Sequence, residues 1–325
     1  MHIIGVDVSK KKLHCAYLKD PASEKLKIKA AANTREGVEA LLSWTRRHTQ
    51  AEPEAMHFVM EATGVYHEAA AEALVAAGAT VSVVNPKHVR HFAESHGIES
   101  KTDAHDRRVL ALFGHERRPE AWQPPPAHAK QLRALLDRLD ALDDDIQREG
   151  NRREKAEFQG NDDVLRSHQA VIGALERERE RLRQEIDEHI DRHPDLRDKR
   201  RLLASIPGIG EQLSRHLAAL FASGRFRSAS QAAAYLGLTP KQRESGTSVR
   251  SRPRLSKTGP ARLRAKLYLP AASARRWNHH IDLLAQRLER AGKSPMAIIG
   301  AVMRKLIHIA FGVIKHQRPY DPAMA

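Results

Sequence analysis

The sequence predicts an α/β domain followed by a mainly helical remainder. Short apolar runs at 2–8, 56–60 and 80–84 have the length of buried strands and are separated by helix-length stretches. Leucine and isoleucine then recur at steps of three and four from 132 to 186. Past His193-Pro194 the apolar residues keep helical spacing almost to the end.

His2-Ile-Ile-Gly-Val-Asp-Val8 is a buried strand holding one acid, Asp7. After a turn at Ser9–Lys11, Leu13, Cys15 and Tyr17 alternate with more polar positions, which predicts a half-exposed second strand; residues 24–30 supply a third, completing a meander. Asn33-Thr34 opens a helix whose apolar face is Val38, Leu41, Leu42 and Trp44. The strand Met56–Met60 ends at Glu61, and Ala62-Thr-Gly-Val65 turns into an alanine-rich helix to about Ala77. Thr80–Val84 is closed by Asn85-Pro86, and helices follow over 86–96 and from Thr102 to Glu116. A meander followed by strand–helix alternation predicts a mixed sheet.

Trp122-Gln-Pro-Pro-Pro126 is a stiff linker and divides the chain into 1–121, 122–195 and 196–325. In the middle segment Leu132, Leu135, Leu139, Leu142 and Ile146 form one seam, and Leu165, His168, Ile172, Leu175, Arg179, Leu182 and Ile186 another. Phe158-Gln-Gly-Asn-Asp162 turns the chain between them. These are coiled-coil-like helices, paired with each other or with another subunit. Helices are then expected at 228–236, from Gly259-Pro260, at 278–291 and at 294–315.

Charge is regional. Of the net +15, the segment Leu196–Arg276 holds 18 Lys/Arg against 3 Asp/Glu, while 1–195 is about −4 and 277–325 about +4. A basic patch of this kind is the electrostatic footprint of nucleic-acid binding. No amphipathic helix with bulky aromatics and no long apolar run supports a membrane role. The chain opens directly into a strand rather than a signal peptide, and its single cysteine, Cys15, fits a reducing cytoplasm. The 19 histidines lack Cys partners at zinc-site spacing.

Two groups of residues point to chemistry. Asp7, Glu61, Asp103 and Asp106 come from a first strand, the end of the next apolar strand and one face of a helix start. Singly, Asp106 beside Arg107 and Arg108 reads as a surface ion pair and Asp103 as a helix-start charge. Converged, they would repel one another, and Mg²⁺ (or Mn²⁺ in its place) relieves such repulsion in phosphoryl-transfer sites. His105 lies between the last two, as a ligand, a base or an exposed helical histidine. The second group surrounds Ser245, which stands beside Gly246 among Lys241, Arg243, Arg250, Arg252, Arg254 and Lys257, with Arg262, Arg264 and Lys266 beyond. Clustered guanidinium groups suit a phosphodiester, Arg243 and Arg250 as clamps and Lys241, Arg252, Arg254 and Lys257 along the nucleic-acid backbone; the bland alternative is a basic surface loop with ordinary serines. Leu202–Ser214 has a helix, a Pro-Gly-x-Gly turn and a helix. It resembles a helix-hairpin-helix, in which Gly208 and Gly210 would let backbone N–H groups meet a phosphate, or else it is a plain helical hairpin.

Ile4-Gly-Val-Asp7-Val-Ser-Lys, Glu61-Ala-Thr-Gly-Val-Tyr66, Val83-Val-Asn-Pro86 and Lys101-Thr-Asp103-Ala-His-Asp106 recur in order, followed by Ser205-Ile-Pro-Gly-Ile-Gly210, Gly237-Leu-Thr-Pro240, Glu244-Ser245-Gly246 and Ser256-Lys-Thr-Gly259. The chain thereby resembles the DEDD transposases of bacterial insertion sequences, the bridge-RNA-guided recombinases related to a pilin-gene invertase. The resemblance implies a RuvC-like RNase H-fold domain with Asp7, Glu61, Asp103 and Asp106 as metal-binding acids, a helical middle, and a C-terminal transposase domain with Ser245 as nucleophile. It also implies donor and target DNA, a structured bridge RNA, homodimers assembling to homotetramers, and work in the bacterial cytoplasm at the nucleoid. Arg107 departs from the pattern, where a small residue is expected, and leaves the packing of its helix open. The expected reaction is recombination through a phosphoserine intermediate. Its competitors are a junction-resolvase-type Mg²⁺ endonuclease that uses the acids and water alone, and a non-catalytic RNA/DNA-binding scaffold.

Overall fold

The computed structural model describes residues 1–20, 26–98, 103–245 and 249–323, and the side chains of these except at 103–105, 243–245 and 249–252. It divides into two compact units, Met1–Pro124 and Pro125–Ala325.

In the first unit β1 (His2–Val8) is the centre of a five-stranded sheet. It pairs antiparallel with β2 (Lys12–Leu18), which pairs antiparallel with β3 (Leu26–Ala32). On its other side β1 runs parallel to β4 (Met56–Glu61), and β4 to β5 (Thr80–Val84). The order β3-β2-β1-β4-β5, with two antiparallel and two parallel pairings, is the mixed sheet that the sequence predicts. Of the expected third strand, residues 24 and 25 lie outside the described residues, and β3 reaches two residues further than expected, to Ala32.

Alternation along the strands sorts side chains to two faces. Ile4, Val6 and Val8 join Phe58, Met60 and Cys15 under α1 (Arg35–Thr49) and α2 (Glu68–Ala76). Ile3 and Val59 join Val89, Phe92, Val109 and Phe113 of α3 (Pro86–Ser95) and α4 (Asp103–Arg117) on the other. The expected half-exposure of β2 does not hold. Ala16 and Leu18 are buried as fully as Leu13 and Cys15, because α4 covers the face that the polar alternation left open. The helix starts follow from their caps: Thr34 Oγ1 accepts from the Gly37 N–H, and Asn85 accepts from the Lys87 N–H ahead of Pro86.

Gly5 sets how closely β1 meets α4. A Cβ there would stand 2.4 Å from the Arg107 carbonyl oxygen and 2.5 Å from the Ala111 nitrogen. Gly114, further along α4, would likewise meet Ile3 and Val59. Gly5→Ala is therefore expected to lower stability by about 2 kcal/mol through overpacking, measured by urea unfolding.

Trp122 belongs to this unit rather than to a linker. Its N–H donates to the Val81 carbonyl, its ring packs on the α1/α2 side of the core, and the Ser82 hydroxyl donates to the Glu120 carbonyl at 2.7 Å.

The second unit begins with α5 (Ala127–Phe158) and α6 (Asp162–Arg192), which pack on each other within the chain around a turn at Gly160, φ +65°. The expected seam holds in part. Leu132, Leu139, Leu142, Leu182 and Ile186 are buried, but Leu136 is buried and Leu135 only partly so. The stripe turns toward Leu136 because α8 (Glu211–Ala222) packs on α5 there. Further out the seam is polar, with His168 on Glu149 at 2.8 Å and Arg179 facing Asp143. Then follow α7 (Pro194–Ala204), α8, α9 (Ala229–Tyr235), a hairpin of β6 (Pro240–Ser245) and β7 (Val249–Leu255), α10 (Ala261–Lys266), α11 (Tyr268–Ala274), α12 (His279–Arg290) and α13 (Pro295–His316). The one helix expected after Gly259-Pro260 is thus two short ones, broken at Leu267. Their core gathers Leu203, Leu217, Leu236, Leu267, Ile281 and Leu306. Contrary to the reading of no long apolar run, α13 is by length and composition apolar enough to cross a membrane. Its Ile298, Val302, Leu306, Ile309 and Val313 are instead buried in this core.

Candidate functional site

Strand alternation decides where the first two acids lie. Asp7 and Glu61 each follow the paired couple Val6 and Met60 by one residue on the parallel strands β1 and β4, so they are neighbours. Asp7 continues the face of Ile3 and Gly5, and Glu61 that of Val59; both belong to the face that α4 covers. Going toward its N-terminus, α4 lays Gly114 against Ile3, then Ala111 and Arg107 against Gly5. The next turn, 103–106, comes to the level of Asp7. One end of the sheet thus receives Asp7, Glu61 and the helix turn that bears Asp103 and Asp106. The Asp103 and His105 side chains, and Lys101-Thr102 of the motif, lie outside what is described. Asp106 is half-buried. All the acids offer hard oxygen donors, the ligand chemistry that Mg²⁺ or Mn²⁺ takes. Among the described residues no three His, Cys, Asp or Glu side chains form a ready metal cluster.

Two neighbours escaped the sequence reading. His14 is the antiparallel partner of Asp7, with Nδ1 3.9 Å from Oδ2. Asn33 Nδ2 donates to both the Ser9 and the Tyr66 carbonyls, each at 2.9 Å, which clasps the turn after β1 to the loop after β4. Strand register predicts the first; nothing in the local sequence signals the second. Arg107 puts a cation on the carboxylate side of α4. Burial pushes the Cys15 thiol well up, Asp7 adds to this, and Arg107 opposes it.

Ser245 is in the second unit and ends a strand, where a loop was expected. β6 and β7 pair in antiparallel register, with Lys241 opposite Arg254, Glu244 opposite Arg250 and Ser245 opposite Val249, and an irregularity between Lys241 and Arg243. From the pair Lys241–Arg254 to the pair Arg243–Ser251 the chain advances two residues on β6 and three on β7, so the extra residue lies in β7 and interrupts its alternation. The arginines at 250, 252 and 254 recur every second residue in the sequence, but the charge of the stretch hid the strand. Gly246 and residues 247–248 lie outside the described residues, as do the side chains of Arg243, Ser245, Arg250 and Arg252. Lys241, Arg254 and Lys257 are exposed.

The roots of this hairpin are locked together. Lys257 N–H donates to the Gly237 carbonyl and Ser256 N–H to that of Thr239. Gly237, at φ +69°, and Gly259, at φ +89°, let the two chains touch: a Cβ on Gly237 would sit 2.3 Å from the Thr258 oxygen, and one on Gly259 1.9 Å from the Tyr235 oxygen.

The rest of the basic run is committed within the protein. Arg264 donates to the Leu236 carbonyl at 3.1 Å. Lys266 Nζ is 2.9 Å from Asp140, and Arg262 pairs with Asp144. Arg264 and Lys266 thereby hold α10 to the end of α9 and to α5 and are not free for nucleic acid as their place in the run suggested, whereas Arg262 still faces solvent in its surface pair.

The Pro-Gly-x-Gly turn joins α7 to α8. Its two glycines differ. Gly208, at φ +100°, would bring a Cβ within 2.8 Å of Ala274 Cβ, so it serves the packing of α11. Gly210 caps α8, is exposed and has open space where a Cβ would go. It opens onto a depression lined by Leu269, Pro270, Ser273 and Arg276.

Comparison with known proteins places these features. Residues 4–156 match the DEDD transposase model of the IS110 type, described as a transposase, and residues 200–286 match the transposase IS116/IS110/IS902 family. The chain is 30% identical over 323 residues to the pilin gene-inverting proteins of Moraxella bovis and Moraxella lacunata, covering 98% of this chain and 97% of each relative. Among solved structures it is similar to Thermus thermophilus RuvC, at 14% identity and a TM-score of 0.28 over 37% of this chain and 99% of that one.

Proposed function

Since the chain belongs to the IS116/IS110/IS902 transposase family and is thereby a DNA recombinase or transposase, we propose that it cuts and rejoins donor and target DNA through a phosphoserine intermediate at Ser245. The observation that carries this reading is the gathering of Asp7, Glu61 and the 103–106 turn at one end of the sheet, in a chain that also bears a serine at the end of the first strand of a basic hairpin.

Asp7, Glu61, Asp103 and Asp106 would hold Mg²⁺, or Mn²⁺ in its place. When bound, the ion supplies positive charge for the nonbridging oxygens of the scissile phosphate. Ser245 Oγ forms the new bond to phosphorus, the bond from phosphorus to a sugar oxygen breaks, the serine proton leaves, and the freed sugar oxygen takes one up. The phosphodiester energy stays in the protein–DNA bond, so rejoining needs neither ATP nor hydrolysis. Arg243 and Arg250 clamp the phosphate. Lys241, Arg252, Arg254 and Lys257 follow the nucleic-acid backbone, and the N-terminal amides of α8 at Gly210 meet a further phosphate. The acids of one subunit act with the serine of another in a dimer that assembles to a tetramer. Pairing to a bridge RNA gives the sequence specificity, which leaves the protein to read backbone and shape.

The test is to incubate the protein, with its co-purified RNA, with donor and target DNA and Mg²⁺, and to resolve the products on a denaturing gel. DNA shifted by covalently attached protein is expected from the wild type and absent from Ser245→Ala, with recombinant DNA reduced by at least about 1000-fold. Protein-free nicks from Ser245→Ala at the wild-type rate would instead make it a metal-dependent nuclease.

A further inference from the structure

Two adjacent apolar side chains stand in solvent beside the acids. Val65 is 70% and Tyr66 42% exposed, in the loop that leads from Glu61 to α2. The loop is not loose. Ala62 N–H donates to the Val84 carbonyl, Tyr66 N–H to that of Thr63, Glu68 N–H to that of Val65, and the Thr63 hydroxyl to that of Glu61. Asn33 then ties the Tyr66 carbonyl to that of Ser9, two residues beyond Asp7. A backbone satisfied in this way holds Val65 and Tyr66 outward within a few residues of both strand acids.

Val65 can serve neither a metal ion nor a phosphate, and burying the apolar faces of both side chains would lower the free energy of the fold. Lys10 and Lys11, both exposed, follow Ser9 in the turn that Asn33 clasps to this loop, and they attract a polyanion. An aromatic and a branched aliphatic side chain set among lysines beside a carboxylate site suit the flat face of a nucleobase whose own phosphates the lysines meet. Base faces are hidden in a duplex, so the partner is an unpaired nucleotide.

We infer that Tyr66, backed by Val65, stacks on an unpaired DNA base next to the phosphate that enters the acid site. This rests on the proposed strand exchange and adds to it the residue that holds the opened strand. Stacking fixes the sugar–phosphate beyond the base, so Tyr66 is a positioning residue rather than a catalytic one.

The full-length protein is mixed, without divalent metal, with a single-stranded oligodeoxynucleotide whose thymidines are replaced by 5-iododeoxyuridine. It is irradiated, and the crosslinked peptides are identified by mass spectrometry. Affinity for the same oligonucleotide is measured over a range of salt. Expected is a crosslink to the peptide bearing Tyr66, lost in Tyr66→Ala and kept in Tyr66→Phe. Recombination by Tyr66→Ala should fall about tenfold with an unchanged salt slope, since the phosphate contacts remain. A crosslink that avoids residues 62–67, or a Tyr66→Ala chain that recombines as the wild type does, overturns the inference. So does a Tyr66→Ala chain that changes oligomeric state, which would make the pair a subunit contact. Failure of the recombinase reading looks different: the wild type joins no DNA, whatever the crosslink.

Discussion

Gly259→Ala is expected to abolish strand transfer although residue 259 touches no substrate. The native φ of +89° is strained for any side chain, and the new Cβ would stand 1.9 Å from the Tyr235 oxygen. Strain and overlap together should cost about 4 kcal/mol, more than the local structure can absorb. The chain at 259 would have to leave Tyr235, and with it the hydrogen bonds from Lys257 and Ser256 that close the root of the β6–β7 hairpin. Ser245 rides on that hairpin. Amide hydrogen exchange should show protection lost over β6 and β7, while the β1–β5 sheet exchanges as in the wild type. Normal protection of the hairpin with full activity would refute this.

Asp140→Ala should be nearly as damaging, through electrostatics. Asp140, on α5, has a side chain only 8% exposed and faces Lys266 at 2.9 Å and His216 at 3.3 Å. Removing it leaves a half-buried ammonium and a buried imidazole without their carboxylate, which costs about 3 kcal/mol or more. The effect depends on pH. Burial pushes the Asp140 carboxyl up, but His216 and Lys266 outweigh it and hold the group below its ordinary 3.8. A depressed carboxyl stabilises the fold above its unfolded value and loses that contribution as pH falls through the folded one. The gap between wild type and Asp140→Ala should therefore be complete near neutrality and close only below pH 3.8. Asp137 behaves oppositely. Burial raises it, with Asp140 adding to the rise, so it takes up its proton first and relieves repulsion before the Asp140 ties fail. Urea unfolding of both proteins across that range measures the gap; one that closes at neutral pH would show that Asp140 is not the charged partner.

How much of this was legible in the sequence depends on what each residue does. The strands of the first unit stood out because Ile, Val, Met and Phe cluster at strand length between turn signals, and Asp7 and Glu61 are neighbours because each follows by one residue the last registered couple of two parallel strands, Val6 and Met60. The full burial of β2 was hidden, since Ala16 looks neutral and only α4 determines that its face is covered. The hairpin of Ser245 was hidden because a stretch dominated by charge reads as loop, although the arginines of β7 recur every second residue. Most opaque were residues whose partners are remote in sequence. Nothing near Lys266 announces Asp140, nothing near Arg264 announces the Leu236 carbonyl, and Asn33 looks like a helix-start residue until Ser9 and Tyr66 are brought to it. Counting cations therefore overstated how many are available to a polyanion.

The solitary cysteine has a practical consequence. Cys15 is sealed inside the first unit with no solvent exposure, so maleimide reagents have nothing to attack in the folded chain. The wild-type protein already provides a silent background, and a cysteine introduced on the exposed tip at Phe158 would be the one site to accept a dye. Pairs of chains labelled in this way would let energy transfer test whether subunits assemble on DNA, without first stripping native thiols.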